Sequence, residues 1–197
     1  IGAVSAGNTV VLKPSEHSPN TSKILEKIIN ESFERGHVDV INGGPEIGKY
    51  LLNLKWDYIF FTGSTEIGRV VALKAAKTLT PVTLELGGKN PCIIDKNVSI
   101  EIASKRIVFG KFLNCGQTCI APNYLAIHEN IKELFVNSLV KNIKSIYGND
   151  PKNSPFYSNI ISERHVDRLS KLLNNSKIIH GGKFEKRTKY FEPTIVE

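Results

Sequence analysis

The chain has 197 residues, 41% of them hydrophobic and 23% charged, a balance typical of a water-soluble globular chain with room for one ordinary core or two small lobes. Its net charge of +7 comes from 26 Lys and Arg against 19 Asp and Glu, scattered singly at positions such as Lys23, Lys74, Arg106 and Lys141, so no basic face with a reading motif is present and no nucleic-acid partner is expected. No stretch reaches the roughly 18 uninterrupted apolar residues of a membrane-spanning helix.

The chain starts at Ile1 and contains no Met, so residue 1 is not expected to be a translation start and the sequence is expected to belong to a longer protein. Cys92, Cys115 and Cys119 make an odd set without the paired spacing of a secreted disulfide scaffold, which points to a reducing intracellular compartment.

In chain order, the apolar runs Thr9–Leu12, Val38–Ile41, Tyr58–Phe61 and Val82–Leu84 read as strands separated by helical periodicity. The first helix follows Ser18 and Pro19, an N-cap and N1 pair, with Ile24, Leu25, Ile28, Ile29 and Phe33 on one stripe and Gly36 as its stop. The second runs from Pro45 to about Leu52. The third runs from Glu66 to about Leu79, with Ile67, Val70, Val71 and Ala75 facing inward. Beyond Gly87 and Gly88, where a boundary is placed, come a strand at Cys92–Ile94, a helix over Ile100–Leu113 and a strand at Tyr124–His128. An amphipathic helix over Ile131–Ile146 buries Leu134, Phe135, Leu139 and Ile143, and a helix at about Glu163–Asn174 precedes a strand at Lys177–His180. Gly181 and Gly182 then turn the chain toward Phe191–Val196. Alternation of this kind predicts β-α-β units around parallel strands, an α/β fold.

Ligands of parallel sheets bind at the carboxyl ends of strands, where helices present free N–H groups. Three segments stand at such places: Lys13-Pro14-Ser15-Glu16, Gly43-Gly44-Pro45, and Thr62-Gly63-Ser64-Thr65-Glu66-Ile67-Gly68. A phosphate could rest on the third and ribose hydroxyls on the first, although a charged surface turn and a plain strand-to-helix turn explain the same residues. Glu85 ends a strand expected to be buried on both faces, which suggests a base whose pKa is raised by desolvation, or else a carboxylate paired with Lys89. Cys119 falls in a loop after a helix, a partly exposed position that suits a reactive thiolate. A metal held by Cys115 and Cys119 is disfavoured, because no His or second Cys pair stands near them.

Lys13-Pro14-Ser15-Glu16, Phe61-Thr62-Gly63-Ser64-Thr65-Glu66-Ile67-Gly68, Leu84-Glu85-Leu86-Gly87-Gly88-Lys89 and Gly116-Gln117-Thr118-Cys119 occur in one order and spacing. Together they resemble the aldehyde dehydrogenase superfamily along the whole chain. Asn114-Cys115-Gly116-Gln117-Thr118-Cys119-Ile120-Ala121-Pro122 and the late Glu192-Pro193-Thr194 are most similar to its class 3, fatty aldehyde dehydrogenase branch.

That resemblance implies a Rossmann-like NAD(P)-binding part over residues 1–86 joined to an α/β catalytic part over 87–197, incomplete at both ends. It implies oxidation of a medium- or long-chain aliphatic or an aromatic aldehyde to its acid. Cys119 is then the nucleophile and Glu85 the general base that hydrolyses the thioester. Lys13 and Glu16 hold the adenosine ribose, Gly63, Ser64, Thr65 and Gly68 the pyrophosphate, Gly44 and Pro45 border the adenine, and Leu86 belongs to the same cofactor site. The cofactor is NAD or NADP, with Glu16 expected to repel a 2′-phosphate and favour NAD. The resemblance further implies a homodimeric full-length protein, cytoplasmic or on the cytosolic side of a membrane, whose membrane attachment lies outside this chain. The family's oxyanion Asn, in a Pro-Trp-Asn motif, is expected upstream of residue 1, and its nicotinamide-ribose Glu, in a Glu-Ile-Phe-Gly-Pro motif, beyond residue 197. The piece alone is therefore expected to turn over little aldehyde, and an inactive remnant kept as a binding module is the competing expectation.

Overall fold

The computed structural model describes all 197 residues. It divides into two compact units, Ile1–Glu85 and Leu86–Glu197. No helix is long and apolar enough to cross a membrane.

The first unit opens with a short helix α1 (Gly2–Ser5) and then repeats a β-α-β plan. Strand β1 (Val10–Leu12), helix α2 (Pro19–Ser32) and strand β2 (Val38–Val40) form one such unit, with β1 parallel to β2 and Val10 opposite Val38. A short helix α3 (Pro45–Leu51) leads to strand β3 (Ile59–Thr62), helix α4 (Thr65–Ala76) and strand β4 (Val82–Glu85), again parallel, with Ile59 opposite Val82 and Thr62 opposite Glu85. Val38, Val71 and Ala75 are its buried apolar side chains, and Thr80 is tied by its hydroxyl to the Trp56 carbonyl at 3.0 Å.

The helical stripes are present as expected, but much of them faces solvent. Ile24 is 57% exposed, Ile28 52% and Ile67 51%, and Leu25, Phe33 and Val70 are exposed too. Within this unit two strands per pair offer too little sheet to cover both helices. Ser18 does occupy the N-cap of α2, yet its hydroxyl makes no capping bond. The helix ends at Phe33, whose extended backbone stops it before Gly36 is reached.

The second unit begins with strand β5 (Asn90–Ile94), helix α5 (Ile100–Phe112) and strand β6 (Pro122–Ile127), a third parallel β-α-β unit with Ile94 opposite Ile127. Helix α6 (Lys132–Tyr147) packs on α5, and Ile94, Val108, Phe135, Leu139, Ile143 and Tyr147 form the main core. Leu134, expected inside, is exposed, whereas Tyr147 extends the buried face by one further turn. Ser104 is wholly buried at the α5–α6 contact and is satisfied by Ser138 at 2.7 Å and Asn142 at 2.9 Å.

Helix α7 (Glu163–Lys171) follows, capped by the Ser162 hydroxyl on the His165 N–H. Four short strands close the chain: β7 (Ile178–His180), β8 (Phe184–Glu185), β9 (Tyr190–Phe191) and β10 (Ile195–Val196). They pair antiparallel, β7 with β10 and β8 with β9. A second cluster of Cys115, Ile160, Val166 and Phe191 joins α7 and β9 to the loop after α5.

Candidate active site

Cys119 owes its position to the way α5 ends. Asn114, Cys115 and Gly116 take φ of 52°, 57° and 76°, three successive left-handed residues that reverse the chain after the helix. Asn and Gly tolerate this conformation, but Cys115 does so against steric cost. Its side chain is buried among Ile160, Val166 and Phe191. Burial pushes the Cys115 thiol pKa up, against the opposing hydrogen bond to Tyr157.

Gln117 then locks the loop. Its side-chain amide donates to the carbonyls of Asn114 (3.0 Å) and Asn159 (3.2 Å), and its carbonyl oxygen accepts from the Ile161 N–H at 2.8 Å. A turn from Thr118 to Ala121, closed by the Ala121 N–H on the Thr118 carbonyl at 3.3 Å, carries Cys119 at its tip.

The turn is held from the start of β5 as well. Asn90 donates from Nδ2 to the carbonyl oxygens of both Cys119 (2.7 Å) and Ala121 (3.1 Å). Gly88 lies so close beneath that a Cβ added to it would sit 2.2 Å from the Cys119 oxygen. Cys119 itself is exposed, as expected of it, and is a free thiol. The Lys111 side chain runs under Gly116, its Nζ 3.8 Å from where a Cβ would stand. Burial, and then the charge of Lys89, lower the Lys111 pKa.

Glu85 is the last residue of β4 and closes the first unit, with its carbonyl accepting from the Gly63 N–H at 3.0 Å. Its side chain is exposed, which corrects the expectation of a carboxylate buried on both faces. At the carboxyl end of a strand the chain leaves the sheet, and the outer strand of a two-stranded pair has no neighbour on one side. Leu86 follows, half-buried, as the first residue of the second unit.

In the first unit each of the three expected loops follows the carboxyl end of a parallel strand. After β1, Lys13 pairs with Glu16 at 3.2 Å and donates to the Pro14 carbonyl at 2.8 Å. A hydrogen bond from its own backbone and then Lys13 lower the Glu16 pKa, so it is ionised at neutral pH. After β2, Gly44 and Pro45 occupy the N-cap and first turn of α3, and the Lys13 stem reaches Gly48 of that helix, 3.8 Å from a notional Cβ. After β3, the Ser64 hydroxyl caps α4 by accepting from the Ile67 N–H at 3.3 Å, which leaves its own O–H able to donate. Thr65 opens the helix at the surface and Gly68 is buried one turn on. A Cβ on Gly63 would stand 2.5 Å from the tip of the Phe61 ring, which would have to shift to admit it. Lys13, Glu16, Gly44 and Pro45 thus form one neighbourhood, and Gly63, Ser64, Thr65 and Gly68 a second, at a helix N-terminus.

Asn90 and the anchoring role of Gln117 escaped the sequence reading. Their partners lie 29 to 44 positions away in the chain, and the only local signal was the run of small and polar residues in each motif.

The aldehyde dehydrogenase family model matches residues 1–197. The 4,4'-diaponeurosporen-aldehyde dehydrogenase of Staphylococcus aureus is 44% identical over 199 residues, covering 100% of this chain and 43% of its own length. Aldehyde dehydrogenase family 3 member A2 of Pongo abelii is 46% identical, covering 100% of this chain and 40% of its own, and the dimeric NADP-preferring aldehyde dehydrogenase of Mus musculus is 44% identical, with 100% and 43% coverage. Among solved structures, the substrate-bound state of Staphylococcus aureus AldH superposes with a TM-score of 0.93 at 43% identity, covering 100% of this chain and 43% of that one. An AldC mutant from Pseudomonas syringae, in complex with NAD+ and octanal, gives a TM-score of 0.89 at 29% identity, covering 98% and 43%. The chain spans about two fifths of the length of the relatives it matches. With its whole length matched by the family model and its parallel β-α-β units in place, the chain belongs to the aldehyde dehydrogenase family.

Proposed function

We propose that the full-length protein containing this chain oxidises an aldehyde to a carboxylic acid with NAD or NADP, the first unit contributing to the cofactor site and the second carrying the nucleophile. The observation that carries this reading is an exposed thiol, Cys119, at the tip of a turn whose backbone is tied down on both sides, in a chain of this family.

The residues of the first unit fit a dinucleotide. Lys13 and Glu16 offer a donor and an acceptor for ribose hydroxyls. The Ser64 O–H and the first-turn N–H groups of α4 offer donors to a pyrophosphate. Gly44 and Pro45 border the adenine. When bound, the nicotinamide accepts a hydride. An ionised Glu16 disfavours a ribose 2′-phosphate, although its pairing with Lys13 offsets part of that charge, which supports NAD over NADP.

Cys119 as thiolate adds to the aldehyde carbon, forming a C–S bond and a tetrahedral alkoxide. Collapse of the alkoxide expels hydride and leaves a thioester on Cys119. Glu85 takes a proton from water, the hydroxide adds to the thioester carbon, and the C–S bond breaks to release the acid and restore the thiolate. An exposed Glu85 can exchange its proton with solvent between turnovers. Hydrolysis by Glu85 also argues against transfer of the acyl group to coenzyme A. Medium- or long-chain aliphatic and aromatic aldehydes are the substrates we propose, in a homodimer, within a reducing intracellular compartment that suits an exposed thiol. Any membrane attachment is assigned to segments outside this chain.

In the full-length protein, Cys119→Ala should abolish aldehyde-dependent reduction of NAD(P), whereas Glu85→Gln should give a single burst of reduced cofactor followed by steady-state turnover about 10²–10⁴-fold slower. Normal turnover in both variants would refute the assignment. A wild-type protein that reduces neither cofactor with octanal or benzaldehyde would refute the enzymatic reading and leave the binding-module alternative.

A further inference from the structure

Asn90 spends both of its side-chain N–H donors on one turn, that of Cys119. The bonds of 2.7 and 3.1 Å reach the carbonyls of Cys119 and Ala121, two residues apart on the far side of the turn tip. The residue that carries them is itself well fixed. Asn90 is the first residue of β5, and the Pro91 that follows restricts it to extended backbone. Two residues earlier, Gly88 is packed under the same Cys119 oxygen. On the other side, Gln117 anchors the approach to the turn but makes no bond to the tip itself.

We propose that Asn90 is a positioning residue for Cys119, a reading that rests on Cys119 being the nucleophile. Asn90 does not touch the reacting carbon. It sets the depth and orientation of the Cys119 peptide, and through it the line along which the thiolate meets an aldehyde. The bond to the Cys119 carbonyl is exposed and the one to the Ala121 carbonyl partly buried, so water can take over the first when Asn90 is removed, and the fold loses little more than one partly buried bond. What water cannot supply is the fixed distance between them. The expected signature is therefore a large loss in rate with a small loss in stability, since a misplacement of about 1 Å can slow a reaction about 100-fold.

The test uses the full-length protein with Asn90→Ala and Asn90→Asp. The Asp variant keeps the size of the side chain but turns a two-bond donor into an acceptor facing two carbonyl oxygens. In each, the number of reactive Cys119 thiols is titrated with iodoacetamide and located by mass spectrometry. The burst rate of cofactor reduction is then measured per titrated thiol, alongside the KM for cofactor and the melting temperature. Positioning predicts a burst rate per thiol lowered about 10- to 100-fold in both variants, with cofactor KM within about twofold and Tm nearly unchanged. A burst rate per titrated thiol equal to wild type in Asn90→Asp would overturn the proposal, as would a loss of rate matched entirely by loss of folded, titratable sites. Cys119→Ala, run in parallel, separates the two ideas. A burst that survives in that variant means the nucleophile reading has failed, whereas a burst lost there but normal in Asn90→Asp means that only the positioning role has.

Discussion

Replacing Gly88 by Ala tests the packing beneath the Cys119 turn, and with it the proposed role of Cys119, with one methyl group. An ideal Cβ at this position would stand 2.2 Å from the Cys119 carbonyl oxygen and 2.7 Å from Asn90 Nδ2. A carbon and a carbonyl oxygen rest at about 3.3 Å or more, so the Cys119 carbonyl must retreat by about 1.1 Å or the Gly88 backbone must move as far. Either movement disrupts the 2.7 Å bond from Asn90, because the donor is caught between the two. Overpacking of this kind destabilises by about 1–3 kcal/mol, and a displacement near 1 Å at the reacting group lowers kcat about 100-fold. The assay is steady-state aldehyde oxidation by the full-length variant together with its urea midpoint. Gly87→Ala is the control for stability, since nothing stands within 4 Å of the Cβ it would add, and its midpoint should match wild type. If Gly88→Ala kept both kcat and midpoint, the close approach of Gly88 to the loop would not constrain Cys119, and the reasoning would fail.

Phe135→Ala should destabilise the full-length protein by about 3–5 kcal/mol in urea unfolding, because Phe135 has no exposed surface and its ring sits among Ile94, Val108, Leu139 and Ile143; a loss below about 1 kcal/mol would contradict its place in the core. Stability should also fall as the pH rises above about 9. Burial holds the Cys115 thiol and the Tyr147 and Tyr157 phenols neutral in the fold, and Tyr190 is pushed up to about 12, first by burial and then by Glu192. The same groups ionise near 9 and 10 in the unfolded chain, so above those values the unfolded state has released protons that the fold retains. The unfolding free energy then declines as the pH rises, and urea midpoints measured from pH 8 to pH 11 should drop. A flat profile over that range would be incompatible with these four acids being kept protonated in the fold.

Periodicity made the second unit largely legible. Phe135, Leu139 and Ile143 recur at helical spacing and all three are buried on α6, since one β-α-β unit and a second helix suffice to close that core. The same kind of stripe on α2 predicted the helix but not its burial. Ile24 and Ile28 mark a face, and periodicity carries no information on whether another layer lies against it. The final strands were harder, as β8 and β9 hold two residues each, too few for an alternation of period two to register. At the site, Cys119 and Glu85 could be singled out because a thiol in a Gly-rich loop and a carboxylate in an apolar strand are locally unusual. The apolar neighbours of Glu85 nevertheless point to the interior, whereas the last residue of a strand follows the exit of the chain and is exposed. Asn90 and Gln117 act through bonds to distant backbone groups, and nothing in an Asn or Gln next to a Gly announces such partners.

The loop before Cys119 is built so that its strain is opposed locally. A left-handed backbone costs a residue such as Cys115 about 1–2 kcal/mol, and Asn114 less, because its short polar side chain tolerates that region. Three hydrogen bonds of the Gln117 side chain, two donated and one accepted, each contribute about 0.5–1.5 kcal/mol net. Burial of the Cys115 side chain against Val166 and Phe191 adds to this, and Tyr157 donates its hydroxyl to the Phe191 carbonyl at 2.9 Å, fixing the wall against which Cys115 rests. Gain and cost are of similar size, so the left-handed turn persists only while its anchors do. Cys115, four residues before Cys119, therefore serves the loop as a buried apolar plug. The rigidity resides in backbone carbonyls and their donors, while the Cys119 side chain remains exposed and free to approach a carbonyl carbon.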